Sequence, residues 1–376
     1  MKITRVESIV LKTTIKPFGF SQFWYDKRGA SLVKVSTDEG LVGWGECFGP
    51  GECHKGIIEN YYAPMLVGRD PTDVGVIWEN LYNRCRDYGQ KGVMISALSG
   101  IDIALWDIFG KWLGQPICKL IGGVRRDKVR AYATGMYFTE TDEPAKAMAA
   151  EAARYVGMGF SSVKIKLGQG EATDVACVRA VRKAIGPDIR LMVDANHAFT
   201  STRALRMANL IADQNIFWFE EPVPPEDLDG YVELKHRSPI SLAGGECEFT
   251  RFGFRELLSR RAVDYVQPDT CTAGGISEAL KIIALASAYN VQYMPHVWGS
   301  SIALATGLQL LAAMPDFPQS LDPTEPMLEF DRTENPFRDT LAKERIEQKN
   351  SYVDVPMGPG LGIEIDESVI DRYRVL

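Results

Sequence analysis

Two lysines stand two positions apart in Val163-Lys164-Ile165-Lys166, and three acids follow: Asp194 in LMVDANHAF, Glu220 in FWFEEP and Glu246 in LAGGECEF. The steps from Lys166 are 28, 26 and 26 residues, and they continue with 23 to Asp269 in VDYVQPD and 27 to His296 in VQYMPH. Three carboxylates brought together cannot all stay ionised without a cation among them. An all-oxygen set points to a hard divalent ion, Mg²⁺ first and Mn²⁺ second. Any one of these acids could instead cap the helix that follows it, but recurrence at matched spacing favours the metal. Lysines at i and i+2 on a strand share a face. A second cation and a metal nearby predict a lowered pKa for the inner one, Lys166, making it a neutral base. Asp269 and His296 form a prospective dyad, the carboxylate fixing the imidazole tautomer. The set suits removal of the proton α to a bound carboxylate, because fixed positive charge lies where the enediolate charge develops.

Elements must exist to bring these residues together. Each polar residue closes a short apolar run and precedes polar or glycine-containing sequence, as at the C-terminal end of a buried parallel strand. Intervals of about 25 residues fit one strand, one helix and two loops, the unit of a (β/α) barrel whose strand ends form the catalytic face. VRAYATG, FSSVKIKL, IRLMVDA, IFWFEEP, ISLAGGE, VDYVQPD and VQYMPH are seven such runs; an eighth, near QSLDPTEPMLEFD, has a poor strand pattern. Ahead of the barrel, KITRVESIVL, ASLVKVSTDEG and LVGWGECFG predict an antiparallel meander. A helical region follows from Gly56 to about Gly122, including GVMISALSGIDIALWDIFGKWL, which Gly114 and Pro116 end. Between the first two strands, PFGFSQFWYDKRG is expected to be a loop whose aromatics, Trp24 and Tyr25 among them, either plug the core or cover a ligand.

At 376 residues the chain is long for one domain. A net charge of −7 argues against nucleic acid or an acidic membrane as partner. No run approaches the roughly 20 uninterrupted apolar residues of a membrane span, and the N-terminus has the pattern of a strand, not of a signal peptide. The seven cysteines are scattered without a C-x-x-C, which predicts reduced thiols, a cytoplasmic location and no zinc site.

With the K-x-K pair Lys164-Ile165-Lys166, the acids Asp194, Glu220 and Glu246 and the Asp269–His296 pair, the chain resembles the mandelate racemase subgroup of the enolase superfamily. The resemblance implies an α/β fold, a (β/α)7β modified TIM barrel with an α+β capping domain: residues 1–125 as cap, 126–325 as barrel and 326–376 returning to the cap. It also implies Lys166 and His296 on opposite faces of the substrate, Lys164 and Asn196 on its carboxylate, and Glu329 in MLEFD as the strand-eight acid, with Glu325 as rival. GQKGVMISALSGIDIALWDI, RLMVDANHAFT, PHVWGSS and EPMLEFDRTENPFR look closest to galactarolactone cycloisomerases. Those enzymes, like acid sugar dehydratases, abstract a proton and then expel a β substituent. On this basis His197 and Trp298 join Trp24 and Tyr25 as substrate-binding candidates, and the expectation is a Mg²⁺-dependent lyase on an acid sugar or its lactone, in a homo-oligomer. The aromatic segment leaves a second reading, a racemase or epimerase of an amino acid derivative such as a proline betaine held in an aromatic cage.

Overall fold

The computed structural model describes residues 1–318 and 320–376. Strands β1 (Ile3–Gly19), β2 (Trp24–Thr37) and β3 (Val42–Cys47) form an antiparallel meander. The turn from β2 to β3 places Gly40 at φ 82°, where only glycine is free of strain. The aromatic segment is not a loop: pairing runs up to Phe18↔Tyr25 and Gly19↔Trp24, leaving only Phe20–Phe23 as the hairpin tip. Aromatic residues suit a pleated surface, and cross-strand contacts such as Phe18–Tyr25, 5.6 Å between centroids, extend the hairpin well past the sheet.

Helices α1 (Val74–Cys85) and α2 (Val93–Leu113) cover the meander. Close approach of α2 requires the glycines of VGWGEC, since a Cβ on Gly45 would lie 1.9 Å from the Gly100 carbonyl oxygen. Among the described residues α2 is the one helix long and apolar enough to cross a membrane, but 78% of its apolar window is buried inside the protein. It carries Asp102 and Asp107, both bonded to neighbouring backbone, and is the core helix of the cap.

The barrel alternates β4 (Lys128–Thr134), α3 (Pro144–Gly157), β5 (Ser162–Lys166), α4 (Glu171–Ile185), β6 (Arg190–Asp194), α5 (Ser201–Leu210), β7 (Ile216–Glu220) and α6 (Leu228–Arg237). It continues with β8 (Leu242–Gly244), α7 (Thr250–Ser259), β9 (Tyr265–Val266), α8 (Gly275–Ala288), β10 (Gln292–Tyr293) and α9 (Ser301–Ala313). The eighth strand is β11 (Met327–Asp331), parallel to β4 from Met327↔Arg130 to Asp331↔Thr134. Strand pairing therefore carries the barrel sheet beyond residue 325, where sequence alone put its end. Side chains tie β11 to the β10 side: Val297 N–H donates to Glu329 Oε2 at 3.1 Å. Tyr132, Met192, Trp218, Met294 and Met327 pack the interior below the strand ends, so the barrel is a filled core and not a channel.

Cap and barrel are locked at the helices that follow the last catalytic strands. Glu46 of β3 accepts from Ser300 N–H at 2.9 Å and Ala303 N–H at 3.0 Å, at the start of α9. Asp102 of α2 accepts from Ser277 N–H at 2.9 Å, in the first turn of α8. Acids at helix N-termini meet unpaired N–H groups and the positive end of the dipole. After β11, the short strand β13 (Tyr352–Asp354) pairs antiparallel with β4 and β12 (Gln348–Lys349) pairs antiparallel with β13, and α10 (Glu367–Tyr373) leads the C-terminus onto β1, where Val375 N–H donates to Val10 O at 2.9 Å.

Candidate active site

Strand period and strand end together deliver the residues. Lys164 and Lys166 point to one side of β5, both buried, with Asp194 and Glu220 as the last residues of β6 and β7. Glu246, Asp269 and His296 lie two or three residues past β8, β9 and β10, and an isolated parallel bridge joins Asp269 to His296. Lys166 Nζ is 2.5 Å from Asp194 Oδ2 and donates to Asn196 Oδ1 at 2.9 Å. Lys164 Nζ bonds Glu220 Oε1 and lies 2.9 Å from Glu329 Oε1 and 3.6 Å from Asp194 Oδ2. The other Glu220 oxygen accepts from Trp218 Nε1–H at 2.9 Å and Gln267 Nε2–H at 2.7 Å. His296 Nδ1 is 2.7 Å from Asp269 Oδ2, while Nε2 faces Glu246 at 3.6 Å and Glu329 at 3.9 Å. The N-cap residues of α5, α6 and α7 are Thr200, Asp227 and Phe249, so none of the three acids is the cap of the helix that follows it.

Electrostatics divide the acids. Burial raises the Asp194 carboxyl, but Lys166 and Lys164 outweigh it and hold the group at about 2. Glu329 is likewise held at about 2, burial being overcome by Lys164 and His296. Glu220 and Glu246 are pushed up to about 7, by burial and by the carboxylates around them, against the pull of Lys164 and His296. Five carboxylates (Asp194, Glu220, Glu246, Asp269, Glu329) face three cationic partners, Lys164, Lys166 and His296. The excess of two negative charges is that of one divalent cation, which Asp194, Glu220 and Glu246 together could hold.

Burial and Lys164 work to lower the pKa of Lys166, and Asp194, in contact, raises it. Asp194 is also one of the three acids that would hold a cation, and a cation there would compete with Lys166 for that carboxylate. His296 shows the same competition: burial lowers it, and Glu246, Glu329 and Asp269 raise it to about 10.

Lys166, Asn196, Glu246, His296 and Glu329 line one small cavity of about 60 Å³, roofed by Phe20, Tyr25, Phe48, Tyr137 and Trp298. That is far below the few hundred Å³ of an ordinary small-molecule site, because the hairpin tip is down on it. Ser21 Oγ donates to Asn196 O at 2.8 Å, and Gln22 Nε2 lies 3.1 Å from the same oxygen and 2.7 Å from His197 Nδ1. A larger open hollow of about 960 Å³ beside Lys111 and the C-terminal segment contains none of the strand-end residues.

Several placements differ from the sequence reading. Tyr25 reaches the cavity, but Trp24 alternates to the other side of the strand, 49% exposed, with its ring over Gly19. Trp298 lines the cavity and carries the Arg28 guanidinium 3.5 Å above its ring, with Arg28 bonded to Asp331 at 2.9 Å. Between the rival acids, Glu329 is in the site, whereas Glu325 is bonded to Arg130 Nε at 2.6 Å away from it. His197 is not a cavity residue. Asn196 and His197 have φ of 41° and 68°, and Glu221 has φ of 41°. This uncommon backbone breaks the strand alternation, and His197 Nε2 turns to Glu221 Oε2 at 2.8 Å. Phe20, Phe48 and Tyr137 were not singled out from sequence. Phe20 lay in a segment assigned as a whole, and Phe48 and Tyr137 each follow a strand end without any motif.

The family model of the mandelate racemase/muconate lactonizing enzyme N-terminal domain matches residues 4–122, and the enolase C-terminal domain-like model matches residues 147–369. The chain is 45% identical over its whole length to D-galactarolactone cycloisomerase of Agrobacterium fabrum, covering 99% of that protein. It is 36% identical to arabinonate dehydratase of Saccharolobus solfataricus, over 91% of this chain and 90% of that one. The structure of 3,6-anhydro-D-galactonate cycloisomerase from Zobellia galactanivorans superposes with a TM-score of 0.91 at 39% identity, each chain fully covered. Matched in both domains, and with the strand-end residues in place, the chain belongs to the mandelate racemase/muconate lactonizing enzyme family of the enolase superfamily, as an enzyme of the acid sugar dehydratase and cycloisomerase type.

Proposed function

We propose that this enzyme is a Mg²⁺-dependent lyase that removes the proton α to the carboxylate of an acid sugar or its lactone and expels the oxygen at the β position, as a hydroxyl or by ring opening. The reading of elimination over racemisation is supported by the relatives that match nearly the whole chain, a cycloisomerase and a dehydratase, together with the setting of His296. Its imidazole is paired with Asp269 at 2.7 Å, and its Nε2 faces the cavity carboxylates Glu246 and Glu329. From there it can protonate a leaving oxygen.

Lys166 is the base, and Lys164 and Asn196 hold the substrate carboxylate, with Glu329 orienting Lys164. When bound at Asp194, Glu220 and Glu246, the divalent cation supplies positive charge to the substrate carboxylate and loosens the hold of Asp194 on the Lys166 proton. The two working groups come from β5 and from just past β10, different strands of the barrel, so proton removal and proton delivery fall to separate groups. Closing the tip over the cavity excludes water from the charge that develops.

The aromatic roof alone would suit a quaternary ammonium. Arg28 decides against it: a guanidinium already covers one face of Trp298 at 3.5 Å, and a second cation there would meet repulsion. The same rings suit the C–H face of a cyclic sugar derivative. Screening acid sugars, sugar lactones, anhydro sugar acids and proline betaines for solvent deuterium at Cα, with Mg²⁺ present, tests this directly. An acid sugar or its cyclic form should exchange and be converted. Epimerisation of a betaine with no acid sugar turned over would overturn the proposal.

A further inference from the structure

Beside the oxygen-only acids, the next residue on two of the same strand ends and the following histidine on a third converge with a different chemistry. His197, Glu221 and Cys247 follow β6, β7 and β8, and one ligand atom of each lies within 4.8 Å of the other two. His197 Nε2 is 2.8 Å from Glu221 Oε2 and 3.7 Å from Cys247 Sγ. We propose that these three side chains form a second cation site, for a thiophilic divalent ion of the zinc class.

The geometry is close to what such an ion needs. Tetrahedral ligands at about 2.0–2.3 Å from zinc stand roughly 3.3–3.6 Å from one another. The sulfur–nitrogen separation is already near that figure, and the imidazole–carboxylate pair has only to open by about half an ångström. Glu221 is a carboxylate buried to 1% exposure, whereas Cys247 reaches solvent, so the site has a fixed floor and an entry. Sulfur, nitrogen and oxygen donors together select zinc-class ions over Mg²⁺, which the neighbouring all-oxygen set prefers. The scattered cysteines lack a metal-binding motif; the ligands meet only because the left-handed backbone at His197 and Glu221 swings them out of the strand alternation.

The imidazole also has an outer partner. Gln22 Nε2 lies 2.7 Å from His197 Nδ1, so Nδ1 accepts and Nε2 carries the proton that Glu221 takes up in a hydrogen bond. An ion on Nε2 moves that proton to Nδ1, and Gln22 then presents its carbonyl oxygen by turning its amide. Outer-shell partners of this kind fix the tautomer of metal-bound histidines. Thiolate binding to the ion displaces the Cys247 proton to solvent.

The test uses the full chain with Mg²⁺ in large excess, so that the oxygen-only acids are satisfied. Co²⁺ added alone should give a thiolate-to-cobalt charge-transfer band in the near ultraviolet, which Zn²⁺ then removes, and equilibrium dialysis should retain one Zn²⁺ per chain. Cys247→Ser should abolish the band and weaken Zn²⁺ at least about 10-fold, with His197→Asn weakening it similarly. Cys53→Ser, at the other exposed cysteine, should change neither. Far-UV circular dichroism checks that each variant is folded, and either ligand variant suffices if the other is not. The proposal is overturned by absence of the band in the Mg²⁺-loaded protein, by its survival in folded Cys247→Ser, or by its loss in Cys53→Ser. The trio would then be a hydrogen-bonded cluster only.

Discussion

Replacing Ser21 and Gln22 together by alanine removes the three side-chain contacts that hold the hairpin tip on the barrel: Ser21 Oγ to Asn196 O at 2.8 Å, and Gln22 Nε2 to Asn196 O at 3.1 Å and to His197 Nδ1 at 2.7 Å. Each is partly solvated, so about 1 kcal/mol apiece is reasonable, and about 2–3 kcal/mol for the set. That corresponds to roughly a 30- to 150-fold shift from the closed towards the open tip. The strand pairing behind it, anchored by Gly19 N–H to Phe138 O at 2.8 Å, should persist, so the tip swings without unfolding the hairpin. If the closed tip is the form that holds substrate, KM rises by up to that factor, because apparent affinity falls with the competent fraction. The chemical step in the closed complex is unchanged, so kcat should stay within a few-fold. Steady-state kinetics on the identified substrate give the split, and hydrogen exchange at Phe20–Phe23 reports the opening. Faster exchange with KM unchanged would refute the assignment of the tip as the element that retains substrate.

Glu329→Gln should lower kcat at least about 100-fold, since Glu329 bonds Lys164 and faces His296; Glu325→Gln, at a carboxylate paired with Arg130 and Tyr352, should leave kcat near wild type. Removing divalent ions should abolish turnover, which Mg²⁺ restores, and Mg²⁺ should raise the melting temperature with its concentration as a ligand of the folded state. Asp102 gives a pH signature: burial pushes its carboxyl up from 3.8 to about 7. Between those values the folded state holds a proton that the unfolded chain has lost, so this contribution to stability falls as pH rises through the window and is gone above about pH 7. The span is worth about 4 kcal/mol at most. Urea unfolding in Mg²⁺ should therefore show Asp102→Asn gaining on wild type from pH 4.5 to 7.5; a pH-independent difference would contradict it.

What could be read from sequence follows from period. Lys164 and Lys166 at i and i+2, and acids closing β-branched runs every 26 or so residues, report a face and an end without any tertiary information. The short strands β8, β9 and β10, two or three residues each, were found only because the spacing continued through them. Where the backbone leaves the strand region, legibility stops: His197 was placed with the substrate residues, but its left-handed φ sends it to Glu221. Trp24 and Tyr25 show the complementary case. Reading their segment as a loop hid an alternation that sends one ring outwards and the other into the cavity. The sequence showed Lys164 beside Lys166, but not that Asp194 lies in contact with it.

The central claim, that Lys166 takes the proton and His296 delivers one, is tested most directly by deuterium exchange at Cα in two variants. With the substrate identified and Mg²⁺ saturating, Lys166→Ala should neither turn over nor exchange, while His296→Asn should still take up deuterium at Cα without completing elimination. Exchange that persists at the wild-type rate in Lys166→Ala, or near-wild-type turnover in both variants, would contradict the account.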